Sequence, residues 1–261
     1  MGATINLQTY GTQSNDIIDQ SVKLINHYKK LLTVNRNQSE LMSINHAAGK
    51  KKIQVSSGTY SLVKLVVNIS KENFGFNALI GPNDIVLNDL DQTVFLTKEG
   101  MELDLGGIAK GWIADRVRDL WHSYGIKAGV IDLGGNILFV GNSPEINNGT
   151  WIVDIQNPFK KFGNSIATLM TPESSVVTSG TYERYLMVDD CKYHHIIDPN
   201  TDYPVKTNLL SVTTFTKNLV QAEIECKRLF SLESLSRIGI KIPIGMVRFS
   251  YIEMDIFFMM V

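Results

Sequence analysis

MELDLGGIAKGWIAD, residues 101–115, passes from an alternating segment through two glycines into an amphipathic one. Met101, Leu103 and Leu105 alternate with Glu102 and Asp104 at the period of a half-buried strand, while Ile113, Val117, Leu120 and Trp121 recur at helical spacing. A strand that enters a helix through Gly106-Gly107 can turn sharply and bring its backbone against a ligand. The helix start then offers unpaired N–H groups and a partial positive charge to an anion. Asp104 and Lys110 flank this joint, which makes it a candidate phosphate seat. Taken alone, a Gly-Gly joint is first of all a tight turn.

The chain has 261 residues, 44% of them hydrophobic, which is enough for a sizeable core. No repeat or low-complexity linker divides it, so one domain over residues 1–261 is expected. Net charge is −1 with both signs scattered, and no basic run exceeds Lys50-Lys51-Lys52. Neither nucleic acid nor an anionic membrane surface is expected as a partner. Cys191 and Cys226 lack metal-ligand spacing and read as free thiols of a reducing compartment. The opening MGATINLQTY alternates like a strand and has neither a basic n-region nor an apolar h-region. A cytoplasmic protein is expected from this; the alternative is an extracytoplasmic lipoprotein whose leader has been removed. Membrane insertion is not expected, because Lys241, Pro243, Arg248 and Asp255 interrupt the apolar runs of residues 238–261, which read as a closing β-hairpin.

In chain order, a strand is predicted over 3–10 and a helix from Ser14 to Leu32, with Ile18, Val22, Ile25 and Leu32 on one face. Residues 33–45 form a polar surface loop in which Ser39-Glu40-Leu41 can open a short helix. A helix follows over 59–71. FGFNALIGP, residues 74–82, suits either a packed loop or a flat ring pressed against backbone. A hairpin joins 85–87 to 94–96, and strands at 130–133 and 137–140 flank a second glycine pair, Gly134-Gly135, before Asn136. Further strands are predicted at 151–155, 166–170, 175–178, 185–188, 193–197 and 212–216. Mostly antiparallel sheet with a few long helices gives the α+β class. Neither glycine pair fits GxGxxG, which argues against a dinucleotide fold of the Rossmann type, and no Walker lysine motif is present.

A third dense segment, VTSGTYERYLMVDDCKYHHIIDPNTDYP, spans residues 177–204. Asp189-Asp190 and Asp198-Pro199-Asn200 are explained as turns, but Thr178-Ser179-Gly180 and His194-His195 are not. The lack of a G-x-S-x-G elbow argues against a Ser/His/Asp hydrolase. Adjacent histidines on a strand point to opposite faces, so one of them belongs to a site and the other does not.

Taken together, LDLGGIAKGWIAD, GVIDLGGNILFVG and VVTSGTYERY…YHHIIDPNTDYPV resemble, in order and spacing, the ApbE family of FAD:protein FMN transferases. The resemblance extends from Met1-Gly2-Ala3-Thr4 through TVNRNQSEL and FNALIGP to Ser211-Val212-Thr213. It implies an α+β fold related to the T-fold, FAD as substrate together with Mg²⁺, and cleavage of the FAD pyrophosphate. FMN would pass through a phosphoester to a threonine of a partner flavoprotein. By matching positions, the resemblance places Asp104, Gly106, Gly107, Lys110 and Thr178 on FAD and makes the Gly107 carbonyl a metal ligand. Met1, Asn35, Phe76, Asn77 and Ala78 would line the flavin side, with Ile197 near the cofactor. His195 is the candidate for taking the proton of the incoming hydroxyl, and Lys110 for supplying charge at the phosphoryl group.

The chain also departs from the family pattern. Asn83-Asp84-Ile85 follows Pro82 directly, where the family usually carries a further PL-x-x-LW stretch. Asn77 stands where Asp is common, Asn35 where Tyr is frequent, and Asp202 where a glycine is usual. The family's A-D-x-x-x-T metal motif corresponds to Ala222-Glu223-Ile224-Glu225-Cys226-Lys227. Spacing alone describes Glu223 and Lys227 as a surface ion pair of about 0.3–0.5 kcal/mol. At a metal position, however, a protonated lysine cannot coordinate Mg²⁺ and can stand in for it. Three readings follow: a transferase, an FAD-binding relative that holds FAD or slowly hydrolyses it to FMN and AMP, and an α+β interaction protein without ligand.

Overall fold

Odd and even positions along the central strands part company. Ile131, Leu133, Leu138, Val140, Val177 and Val212 join one buried cluster, and Phe139, Val176 and Phe215 another. Neighbouring strand residues point to opposite faces, so a single sheet divides two cores. The computed structural model describes residues 4–11, 15–71, 82–182, 185–188, 191–194, 204, 209–231, 246–251 and 254–260.

The elements are β1 (Ile5–Thr9), α1 (Asn15–Leu31), α2 (Glu40–His46), β2 (Ile53–Gln54), α3 (Ser57–Lys71), β3 (Ile85–Asn88), β4 (Thr93–Leu96), α4 (Ala109–Ser123), β5 (Ala128–Leu133), β6 (Ile137–Gly141), β7 (Trp151–Gln156), β8 (Ser165–Thr171), β9 (Ser175–Gly180), β10 (Tyr185–Val188), β11 (Cys191–His194), β12 (Leu209–Thr216), α5 (Leu219–Ser231), β13 (Met246–Tyr251) and β14 (Met254–Met260). The main sheet has the order β1-β5-β6-β9-β12-β14-β13 and is antiparallel at every step. The predicted closing hairpin is β13–β14, and it joins this sheet through β12. Side chains of α1 to α5 share the larger cluster on one face. The β7–β8 hairpin covers the other face, with Trp151 stacked on Phe139 at 5.0 Å between ring centroids. The α+β reading therefore holds.

Local chemistry explains most boundaries. Ser39 Oγ accepts the Met42 N–H at 3.0 Å and caps α2, so the polar loop does open into a short helix. The Trp121 indole, fully buried on α4, donates to Ser21 Oγ of α1 at 2.8 Å. One expectation needs correcting. The alternating segment at 101–105 buries Leu103 and Leu105 and exposes Glu102 and Asp104, yet it belongs to none of the sheets. Leu103 makes only an isolated β-bridge, and its own polar groups are taken by a side chain: Leu103 N–H donates to Asn45 Oδ1 at 2.8 Å, and Asn45 Nδ2 donates to the Leu103 carbonyl at 3.0 Å.

Helices α4 and α5 are joined by an exchange of buried carboxylates. Asp115 on α4, 3% exposed, accepts the N–H groups of Leu219 and Val220 at 2.9 and 3.1 Å. Glu223 on α5, also 3% exposed, accepts the N–H of Gly111 at 2.8 Å. Each helix thus supplies the anion that satisfies orphan donors at the positive end of the other. The two helices approach so closely at Gly111 that a Cβ there would stand 2.7 Å from Val220 Cα. None of the described helices is long and apolar enough to cross a membrane.

Backbone cannot yield as a flexible side chain would. Gly111→Ala is therefore expected to force α4 and α5 apart and to cost about 1–3 kcal/mol in urea unfolding, the range for overpacking a tight contact. An unchanged unfolding midpoint would mean that the helix contact is looser than described.

Candidate functional site

The start of α4 is not an open row of donors. Gly106 N–H donates to Asp104 Oδ1 at 2.8 Å, and the N–H groups of Ile108 and Ala109 donate to the Leu105 carbonyl at 3.0 and 2.8 Å. Gly111 N–H is held by Glu223. The helix's own neighbours have taken much of the seat that the sequence assigns to an anion.

Glu223 ties this corner to the second glycine pair. Its Oε1 accepts Asn136 Nδ2 at 2.5 Å, and Asn136 follows Gly134-Gly135 in the turn between β5 and β6. Both glycines have positive φ, +72° and +86°, as a two-residue type I′ hairpin requires. Gly135 N–H is fixed by Asp132 Oδ1 at 2.7 Å. The turn accounts for the glycines and, at the same time, aims Asn136 at the buried carboxylate.

Two ammonium groups face the same carboxylate. Lys110 Nζ lies 3.9 Å from Glu223 Oε1. Half-buried Lys227, one turn beyond Glu223 on α5, reaches over Gly107, where a Cβ would stand 2.7 Å from its Nζ. Burial pushes the Glu223 carboxyl above its ordinary range, against the charges of Lys227 and Lys110 and the bonds from Gly111 and Asn136. Burial also pulls Lys227 below its ordinary value; Glu223, Cys226 and Asp104 oppose that shift and Lys110 adds to it. The surface ion pair that spacing describes is therefore a buried cluster instead.

Asn35, Asp104, Gly106 and Lys110 line one cavity of about 190 Å³, together with Thr33 and Ile113. Thr178 lines another of about 330 Å³, with Gly134, Gly135, Asn136 and Tyr182. Its hydroxyl pairs with that of Thr213 on the next strand at 2.8 Å. Glu223 stands at the junction, bonded to Gly111 on α4 and to Asn136 of the second cavity. A larger hollow of about 750 Å³ between β1 and α1 is lined by residues such as Ile5, Leu7, Ile18 and Val22, and by no charged side chain among the described residues. Its polar lining is the amides of Asn6, Gln8 and Asn26, with no cation among the described residues to hold a phosphate. Met1, Phe76, Asn77, Ala78, His195 and Ile197 lie outside the described residues. Asn136 and Gly111 were not singled out from sequence; a glycine inside the first turn of a helix was the available signal for a close approach.

The ApbE family profile matches residues 1–83 and 76–237. The chain belongs to the ApbE family. It is 35% identical over 262 residues to a protein of Klebsiella pneumoniae named FAD:protein FMN transferase, covering 89% of this chain and 80% of that one. A protein of the same name from Treponema pallidum is 28% identical over 79% of this chain and 68% of its own. Among solved structures, the ApbE protein of Thermotoga maritima aligns with a TM-score of 0.77 at 23% identity, covering 88% of this chain and 84% of that one. Flavin transferase ApbE from Vibrio cholerae aligns at 0.70 and 23% identity, over 92% and 86%. The fold is that of ApbE proteins.

With its folded pKa raised, Glu223 holds a proton in the folded state that the unfolded chain has released, but only between the unfolded carboxylate value and its own folded pKa; above that it is the carboxylate that faces Lys110 and Lys227. Its contribution to stability therefore falls as pH rises from about 4, the unfolded carboxylate value, through the folded pKa. Glu223→Gln removes that dependence. Urea unfolding across pH should show the parent losing stability relative to Glu223→Gln over this window. A parent that gains instead would mean that pairing with Lys110 and Lys227 outweighs burial.

Proposed function

We propose that this chain, as one domain over residues 1–261, is an FAD:protein FMN transferase acting on a threonine of a partner flavoprotein. The observation that carries the reading is the convergence of Lys110 and Lys227, from two helices, beside the Asp104–Gly107 turn of an ApbE-family chain. In this reaction the threonine Oγ bonds to the phosphorus of the FMN half of FAD. The bond from that phosphorus to the bridging oxygen breaks, and AMP departs with the oxygen. The hydroxyl proton goes to a base, and negative charge on the phosphoryl oxygens must be met by fixed cations and donors.

Lys110 supplies such a charge at the first cavity, held in place by the Glu223 carboxylate. Asp104, through its bond to Gly106, fixes the turn beneath the pyrophosphate. Asn35 stands on the flavin side, joined in this reading by Met1, Phe76, Asn77, Ala78 and Ile197. Thr178 faces the second cavity. His195 is assigned the proton of the incoming threonine, because an imidazole titrates near neutral pH. Mg²⁺, which the family resemblance implies with Gly107, Glu223 and Lys227 as its ligands, meets an unsuitable donor set, since one of the three is an ammonium.

A second reading, FAD binding without transfer or with slow hydrolysis to FMN and AMP, is favoured by Lys227 standing at the family's metal position. The deciding experiment is mass spectrometry of a flavoprotein acceptor peptide incubated with the chain and FAD. A gain of one FMN phosphoryl group on threonine is expected, and Lys110→Ala should slow it about 10²–10³-fold, as loss of a positioned transition-state donor does. Bound FAD that gives only FMN and AMP would establish the second reading, and failure to bind FAD would remove both.

A further inference from the structure

The donors around Glu223 do not suit a divalent metal. Mg²⁺ demands near-octahedral oxygen ligands at about 2.0–2.1 Å. Both Glu223 oxygens already accept hydrogen bonds, Oε2 from Gly111 and Oε1 from Asn136. Asp104 Oδ1 accepts from Gly106. Lys227 Nζ covers Gly107, and Lys110 Nζ stands 3.9 Å from Glu223 Oε1. A protonated ammonium has no lone pair to give a metal and repels it at this range. Among the described residues, no three His, Cys, Asp or Glu side chains stand close enough to share an ion.

The same arrangement suits an anion. Lys110 comes from the first turn of α4 and Lys227 from α5, so the two cations are held by rigid helices that are themselves locked together through Glu223 and Asp115. Glu223 and Asp104 balance Lys110 and Lys227 in the empty site, and the two ammonium groups are the positive charge that an entering anion meets. The N–H groups of Gly106, Ile108, Ala109 and Gly111 are engaged within the protein, so a pyrophosphate entering here meets the lysines more than the backbone. We propose that Lys227 is the resident cation of the FAD pyrophosphate seat, and that this chain binds FAD without a divalent metal. Lys227 pairs with Glu223 in the empty site and turns to the pyrophosphate in the filled one. Glu223 then remains the cap of α4 and holds Lys110. This inference rests on FAD being the ligand.

The test is titration of FAD into the full chain, followed by flavin fluorescence, in EDTA and again in excess MgCl₂. The parent should bind equally well in both. Lys227→Met, which keeps the length of the side chain and removes its charge, should lose about tenfold or more in affinity in EDTA, the worth of one charged hydrogen bond. Lys227→Arg should retain chelator-insensitive binding. The double variant Glu223→Asp, Lys227→Thr should bind weakly in EDTA and recover in MgCl₂. Thermal melts without ligand report whether each variant folds, and the parent's own response to chelator needs no variant. Loss of parent binding in EDTA with recovery in MgCl₂ would overturn the proposal while leaving FAD as the ligand. So would a folded Lys227→Met that binds like the parent in EDTA. A parent that binds FAD in neither buffer would refute the FAD reading itself, and the inference with it.

Discussion

The exchange of carboxylates between α4 and α5 is the constraint on which the rest of the site depends. A buried carboxylate is costly unless its lone pairs are met, and Glu223 is met by a backbone N–H, an amide and two cations. Asp115 is met by two N–H groups of α5 and lies 3.6 Å from Arg118. Because each carboxylate sits at the donor-rich end of the other helix, neither helix can slide without stranding charge in the interior. The glycine at position 111 is what lets the exchange happen, since any side chain there would meet the backbone of Val220.

That lock has a chemical consequence. A helix start is a general anion site only while its N–H groups are unclaimed. Here the carboxylate of Glu223 already holds Gly111, and Asp104 holds Gly106. In the proposed site, recognition of a phosphate would therefore rest more on side-chain cations than on dipole and backbone. An ammonium about 4 Å from a phosphoryl oxygen contributes about 4 kcal/mol of attraction at an effective dielectric near 20, several times its value in bulk water.

Much of this architecture was legible in the residues, and the failures have physical causes. Strand alternation located β5, β6, β9 and β12, and helical spacing located α1, α3 and α4, because those elements bury one face against a large core. The 101–105 segment alternates for the same reason, but it is held by an isolated bridge at Leu103 and by the side chain of Asn45, neither of which periodicity reports. Glu223 was misjudged by pattern because α5 is enclosed on two sides. Ala222, Cys226 and Leu229 mark the buried stripe, while α4 covers a second side that a single-stripe pattern leaves to solvent. Asn136 escaped because its value comes only from a turn that points it at a residue 87 positions away. Position matching by resemblance sets Glu223 and Lys227 beside the Gly106-Gly107 joint, where the structure does bring them together, whereas spacing alone sets them on the surface.

The pairing of a buried glutamate with a lysine one turn later also has its own logic. Removing one member of a buried ion pair leaves the other uncompensated, at a cost of about 3–5 kcal/mol. A lysine at position 227 consequently requires an anion nearby, and Glu223 meets that need while also capping α4. The reverse holds as well: with Lys110 and Lys227 both present, a neutral residue at 223 would leave two mutually repelling cations with Asp104 as their remaining carboxylate neighbour. The glutamate and the lysine are therefore one device. A site that relied on a diffusible cation would gain nothing from the lysine and would be repelled by it. A site that carries its cation on a helix needs the glutamate to hold that cation in place until an anion arrives.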